Sequence, residues 1–219
     1  KEYFKENYKK KNSKFDQRQI QYKFDKKYLS NYFNDGKKRK ILDFGCGNGN
    51  FLKLFKAQKF GYEFNPDAKV HNSVKRVLLK DVYKKKYDLV IMRGVIEHLL
   101  DFDNVVSRLC KSVKKGGLFY ITATPNIYNL TFFLSKKDFN QNHPGHIFHF
   151  NNVNLSLLFL QRNFLNIDTI YQYAQTPYAN FKNDFKNLKK QLKNYNKNKK
   201  TISPAAVGNM ITMVFKKVD

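Results

Sequence analysis

The sequence has no apolar run near the ~20 residues that a membrane-spanning helix needs, so these residues carry no membrane span. No secretory signal is visible from Lys1 onward, which predicts a cytoplasmic location. Cysteine is scarce: Cys46 and Cys110 lie far apart and in different contexts. Such a pair suits reduced thiols in a reducing compartment and argues against a disulfide framework. Acidic residues are also few, 17 against 42 Lys and Arg, leaving a formal net charge of +25. The lysine excess is spread along the chain and asparagine is abundant too, as a proteome-wide compositional bias would produce. The other reading of the charge is a preference for anionic partners such as phosphorylated small molecules. No internal repeat is present.

What is there supports a globular chain. It has 219 residues, 42% hydrophobic and 16% aromatic, enough for a sizeable core. Ile20, Phe24, Tyr28, Leu29, Tyr32 and Phe33 recur at steps of three and four, which predicts an amphipathic helix over 17–33. Asn34-Asp35-Gly36 ends it. Strands are predicted at Ile41–Phe44, Phe60–Phe64, Val77–Leu79, Tyr87–Met92, Leu118–Ala123, Phe164–Tyr173 and Met210–Phe215. Helices are predicted over 50–58, from Asp67 to about Asn72, over 95–100, over 105–113, after Asn151 or Asn152, and over 178–195. Tyr87–Met92 is a near-continuous apolar run, as expected of a strand buried on both faces. Strands alternating with helices at this spacing mean βαβ units. The expected fold is α/β: a doubly wound, Rossmann-like, seven-stranded, mostly parallel sheet with an antiparallel last strand and helices on both faces. One domain over 1–219 is expected. Residues 1–35 form a helical cap, 36–125 a ligand-binding half, and 126–219 the other half with a lysine-rich insert at 176–206.

The sharpest local signal is Ile41-Leu42-Asp43-Phe44-Gly45-Cys46-Gly47-Asn48-Gly49-Asn50. A short apolar strand runs into a loop with glycine at every second position. Glycine lets a backbone turn sharply and approach a ligand closely. In an open α/β sheet such a loop at a strand's carboxyl end marks the binding crevice. Glu63, 18 residues after Gly45, ends the next strand, where an acid can accept two hydrogen bonds from ribose hydroxyls. Both NAD and S-adenosylmethionine sites have that much. Three details separate them. The nicotinamide fingerprint G-x-G-x-x-G has a third glycine where this chain has Asn50. Asp43 places a carboxylate beside the loop, where a cationic amino group can be held. Asp81 falls at the end of the third strand, where it can accept from an adenine amino group.

On these residues the chain resembles the class I S-adenosylmethionine-dependent methyltransferases. Leu42–Gly49 resembles their first motif and Glu63 the ribose-binding acid. Lys80-Asp81-Val82 resembles the adenine-binding segment. Tyr87-Asp88-Leu89-Val90 with Glu97-His98-Leu99 resembles the fourth-strand motif, and Gly116-Gly117-Leu118 the turn into strand five. Gly145-His146-Ile147-Phe148-His149-Phe150 resembles a segment of the small-molecule branch, which includes ubiquinone-biosynthesis-like and sugar O-methyltransferases. The resemblance implies S-adenosylmethionine as cofactor and S-adenosylhomocysteine as product. Asp43, Gly45, Cys46, Gly47, Glu63, Asp81 and Val82 are then the cofactor-binding residues, with Arg93 or Arg18 as the guanidinium for the cofactor carboxylate. Arg93 is the better placed, at the end of strand four.

Methyl transfer to a hydroxyl benefits from a general base, and histidine is the natural group. His146 is the expected base; ordering of its own segment is the competing role. Asn126, Tyr128, His98 and Arg18 are the expected acceptor-side residues. His143, His146 and His149 could be drawn as a metal site. Pro144-Gly145 breaks their helical spacing and no carboxylate cluster accompanies them, so no metal is expected. The expected reaction is O-methylation of a small anionic acceptor: a sugar, a nucleotide-linked sugar or a phosphorylated biosynthetic intermediate. The expected assembly is a monomer or homodimer. A nucleic-acid partner is disfavoured: the Asn/Asp-Pro-Pro-Tyr/Phe motif of base methylation is replaced by Met92-Arg93-Gly94-Val95. An RNA methyltransferase and a non-catalytic cofactor-binding subunit remain the alternatives.

Overall fold

The computed structural model describes residues 15–135, 143–193 and 202–218, without the side chains of residues 15–17, 135 and 191. The sequence-based expectations for the arm at 1–14 and the loop at 196–201 lie outside these residues.

The apolar run before the glycine loop forms β1 (Lys40–Phe44). It pairs in parallel with β2 (Gln58–Tyr62) on one side and β4 (Tyr87–Arg93) on the other. The sheet continues through β3 (Lys75–Arg76), β5 (Val113–Pro125), β6 (Phe164–Ile170) and β7 (Met210–Lys217) in the order β3-β2-β1-β4-β5-β7-β6. β7 runs antiparallel to both β5 and β6. The expected seven-stranded doubly wound sheet is therefore present. Its strand order reverses between β1 and β4, and ligands bind at such a switch point, beyond the carboxyl ends of the strands.

Side-chain alternation sorts the strands onto two cores. Leu42, Phe44, Val90, Met92, Phe119, Ile121 and Phe215 face one side with α3 (Phe102–Ser112) and α5 (Asn152–Leu160). Ile41, Leu89, Ile91, Leu118, Tyr120 and Val214 face the other, under α1 (Phe15–Leu29) and the 51–57 segment. The other α-helices among the described residues are α2 (Leu79–Val82), α4 (Leu130–Ser135) and α6 (Phe181–Lys193). Asn151 caps α5 as expected: its side chain accepts from the Asn154 amide, and the Asn154 side chain accepts from the Asn151 amide.

Several local expectations are corrected. The helix expected over 50–58 is a single 3-10 turn at Leu52–Leu54. The Asp35 carboxylate takes the Lys56 and Ala57 amides at 2.9–3.1 Å, so these cannot donate within a helix. β2 then begins at Gln58, not Phe60. No helix follows Asp67. The Arg76 guanidinium donates to the carbonyls of Asn65, Pro66 and Ala68 and holds that stretch as an open loop. The third strand is Lys75–Arg76 instead of Val77–Leu79, and Asp81 lies in α2, not at a strand end. Residues 95–100 contain only a 3-10 turn, Ile96–His98. The segment 127–150, expected to be irregular, contains α4.

Candidate active site

The glycine loop is tied to the end of β2: the Gly45 and Cys46 amides donate to the Tyr62 carbonyl at 2.8 and 2.9 Å. Gly45 has φ +85°, and a Cβ there would lie 2.5 Å from Val95 Cγ2. The loop after β4 thus packs directly on the glycine loop. Gly61 on β2 provides the same closeness from the other side, since a Cβ would meet Cys46 Sγ at 2.6 Å. Glu63 Oε2 accepts from the Gly47 amide at 2.7 Å and Oε1 from the Asn65 amide at 2.9 Å. Each carboxylate oxygen can accept a second bond, so Glu63 is oriented by the loop and still able to accept from a diol.

Across the switch point Asp43 and Arg93 form the electrostatic centre. Asp43 is buried, and its Oδ1 has no hydrogen-bond partner. Burial pushes its carboxyl up to about 7, against the pull of Arg93 and with a further push from Glu63. Arg93 Nη2 is likewise buried without a partner, and its guanidinium lies 4.7 Å from the Tyr22 ring centre. Such orphaned groups carry a substantial desolvation cost, and a zwitterion with an amino and a carboxylate end answers both. The residues fit the amino-acid portion of S-adenosylmethionine.

Of the other expected contacts, Asp81 is half-buried on α2 and Val82 has its side chain in the core. Cys46 is buried and its thiol is pushed up by burial. Arg18 is half-buried on α1. That helix engages Arg93 through a residue the sequence did not single out. Asp25 is fully buried; its Oδ2 lies 3.4 Å from Arg93 Nε, and its Oδ1 accepts from Tyr120 at 2.9 Å and from Gln172. Burial raises its carboxyl above the usual range against the pull of Arg93. The available signal was a lone acid within an apolar helical stripe, between Phe24 and Tyr28.

The acceptor side begins at the end of β5. Asn126 donates to the carbonyls of Tyr128 and Gly208 at 2.7 and 2.8 Å and accepts from the Tyr128 amide. These bonds make it a clamp between β5 and the segment before β7. Tyr128 is exposed and, with Ile127, Phe132, Phe133 and His149, lines a cleft of about 240 Å³.

His98 and His146 come together although 48 residues separate them. The Glu97 carbonyl accepts from the Ile147 and Phe148 amides at 2.8 and 3.2 Å, docking the histidine segment onto the turn after β4. Pro144-Gly145 makes a tight turn closed by the His146 amide on the His143 carbonyl at 2.9 Å. The rings of His98 and His146 lie 4.8 Å apart, those of His143 and His146 4.5 Å. His98 Nδ1 lies 2.5 Å from the Gly145 carbonyl. A carbonyl only accepts, so Nδ1 carries the proton and the neutral ring keeps its lone pair on Nε2. That nitrogen is 3.9 Å from Glu97 Oε1. Glu97 is buried and its Oε2 has no partner; burial pushes its carboxyl up to about 8. Glu97 is the second residue the sequence left unassigned, visible there only as the acid of the Glu97-His98 pair.

A family model for a methyltransferase domain matches residues 16–169. Among curated proteins none matches. Solved structures share the fold at low identity. One chain of the Haloferax volcanii complex between the Trm112 methyltransferase activator and a methyltransferase is 10% identical, with 88% of each chain covered and a TM-score of 0.64. A Bacillus halodurans protein described as a methyltransferase is 15% identical, covering 88% of this chain and 98% of its own, TM-score 0.61. A SAM-dependent methyltransferase from Archaeoglobus fulgidus is 17% identical, covering 90% and 94%, TM-score 0.56. With the domain model spanning most of the sequence and the seven-stranded sheet with its reversed last strand in place, the chain belongs to the methyltransferase-domain family and has the fold of its class I S-adenosylmethionine-dependent members.

Proposed function

We propose that the protein O-methylates a small hydroxyl-bearing acceptor at the cleft beyond β4 and β5. The observation that carries the reading is the pair of buried, unpartnered atoms on Asp43 and Arg93 beside the glycine loop. When bound, S-adenosylmethionine supplies an electrophilic methyl group and leaves as S-adenosylhomocysteine. The chain's own residues do the remaining work. Asp43 holds the amino end, Arg93 the carboxylate end, and Glu63 the ribose. His146 takes the proton from the acceptor hydroxyl at a ring nitrogen. The cleft after β5 is walled by Tyr128, Phe132 and Phe133, with His149 at its side, and such rings suit the face of a sugar or another flat acceptor. The net charge of +25 favours acceptors carrying phosphate or carboxylate.

Calorimetry with S-adenosylhomocysteine and NAD tests the cofactor: the first should bind saturably and the second should not. NAD binding alone would overturn the reading. His146→Ala should lower turnover by about 10²–10⁴-fold, the usual worth of a general base, with cofactor affinity unchanged. Normal turnover would return His146 to a role in ordering its segment. A second reading, a partner-activated or RNA-directed enzyme, draws on the charge and on the Haloferax neighbour solved with an activator. It predicts that co-purified or added RNA, and no small acceptor, is methylated.

A further inference from the structure

We infer that Glu97, His98 and His146 form a binding site for one divalent transition-metal ion of the zinc type, on the acceptor side of the cofactor. The inference rests on the acceptor-side placement proposed above and adds a ligand to it. The potential ligand atoms of the three residues lie within 4.8 Å of one another. Around an ion with bonds of about 2.0–2.2 Å, tetrahedral neighbours are about 3.4 Å apart. The 3.9 Å between His98 Nε2 and Glu97 Oε1 is already close to that edge. Only small side-chain rotations are needed to complete it.

Three further features point to a ligand and not to a structural cluster. Glu97 is almost wholly buried; its Oε2 makes no hydrogen bond within 3.5 Å among the described residues, and the buried Thr124 hydroxyl near the carboxyl is itself without a partner at that distance. A carboxylate in that position is stable when a cation compensates it. His98 donates Nδ1–H to the Gly145 carbonyl, the outer-shell bond that metal-bound histidines commonly make and that aims Nε2 inward. Gly145 makes room for this: a Cβ there would sit 3.3 Å from the His143 ring and 3.4 Å from that of His98. Two imidazoles and one carboxylate suit zinc, iron, cobalt or nickel better than magnesium or calcium. Three protein ligands leave a position open for an acceptor oxygen.

An ion there changes how the hydroxyl is activated. The acceptor O–H bond breaks heterolytically, the electron pair stays on the oxygen held by the ion, and the proton passes to solvent water. The ion stabilises the alkoxide as it does hydroxide in zinc hydrolases. His146 cannot ligate and act as base through the same lone pair, so the ion takes over that duty when bound.

The test uses the full chain, stripped with a chelator and titrated calorimetrically with zinc chloride, then with S-adenosylhomocysteine. One equivalent of zinc should bind saturably. His146→Ala, on an accessible turn, and Glu97→Gln should each weaken it at least tenfold. His71→Ala, whose ring instead contacts Ser73, should leave it unchanged. Absence of saturable zinc binding, or unchanged affinity in His146→Ala and Glu97→Gln, overturns the metal site. Zinc binding without S-adenosylhomocysteine binding overturns the methyltransferase reading and keeps the metal site. The reverse result does the opposite.

Discussion

Asp43 ties a single side chain to both stability and binding. In the unfolded chain an aspartate titrates near 4, whereas in the fold burial pushes Asp43 to about 7 against Arg93 and with Glu63. The folded state therefore holds the proton more tightly. Its contribution to stability is complete below about pH 4 and is lost as pH rises through about 7. Ligand-free protein should lose stability relative to Asp43→Asn across that window, approaching about 1.4 kcal/mol per pH unit. Parallel melting-temperature profiles for the two proteins would rule this out. Asp43→Ala or Arg93→Ala should weaken S-adenosylhomocysteine binding by about 2–5 kcal/mol, the range for stripping a partner from a buried charge; calorimetry reads it directly. Gly61→Ala should cost about 1–3 kcal/mol as the new methyl pushes on Cys46, seen in urea unfolding. At this scale the sequence was most informative where chemistry is local. Asp43 and Glu63 stand beside the glycine loop and could be read from spacing. Asp25 and Glu97 could not, because their meaning comes from Arg93, Tyr120 and His146, brought to them only by the fold.

Among the elements, strands were easier to read than helices. A buried parallel strand such as Tyr87–Arg93 announces itself as an apolar run. The segment 50–58 has an equally apolar pattern, but it lost its helix to the Asp35 carboxylate, a competitor 21 residues upstream of Lys56. Likewise Arg76 took the carbonyls that a helix after Asp67 would have used. The Asp35 contact spans more than an ordinary sequence window, and the Arg76 contacts, though nearer, follow no periodic pattern that a window reads. Asp35→Ala should therefore release the Lys56 and Ala57 amides and cost about 1–3 kcal/mol, measurable by chemical denaturation. An unchanged midpoint would mean that the segment's packing alone holds it. Asn151→Ala should cost about 1 kcal/mol through loss of the capping box on α5. The three histidines carry the same lesson. Helical spacing says nothing of their proximity, because a Pro144-Gly145 turn brings the His143 and His146 rings together without a helix.

Over the whole molecule the positive charge should act as a field. If it gathers an anionic acceptor, the apparent KM should rise as salt goes from about 0.01 to 1 M, across which the screening length falls from about 30 to 3 Å. Cofactor affinity, which the proposal assigns to the buried Asp43 and Arg93, should change far less. A KM indifferent to salt would reduce the charge to composition alone. The doubly wound, mostly parallel sheet with its reversed last strand was expected from the sequence, whereas the order of the strands within it became visible only in the fold. The reversed strand has a temporal consequence. β7 is synthesised after the other six described strands, yet it lies between β5 and β6. Until residues 210–217 emerge, a nascent chain presents two raw strand edges with no neighbour to cover them, a condition that invites pairing with another chain. The half around β1 and β4 holds strands that are made early, but the sheet closes only once β7 has emerged. Its final hydrogen bonds join residues that are distant in sequence, an arrangement that makes folding slow.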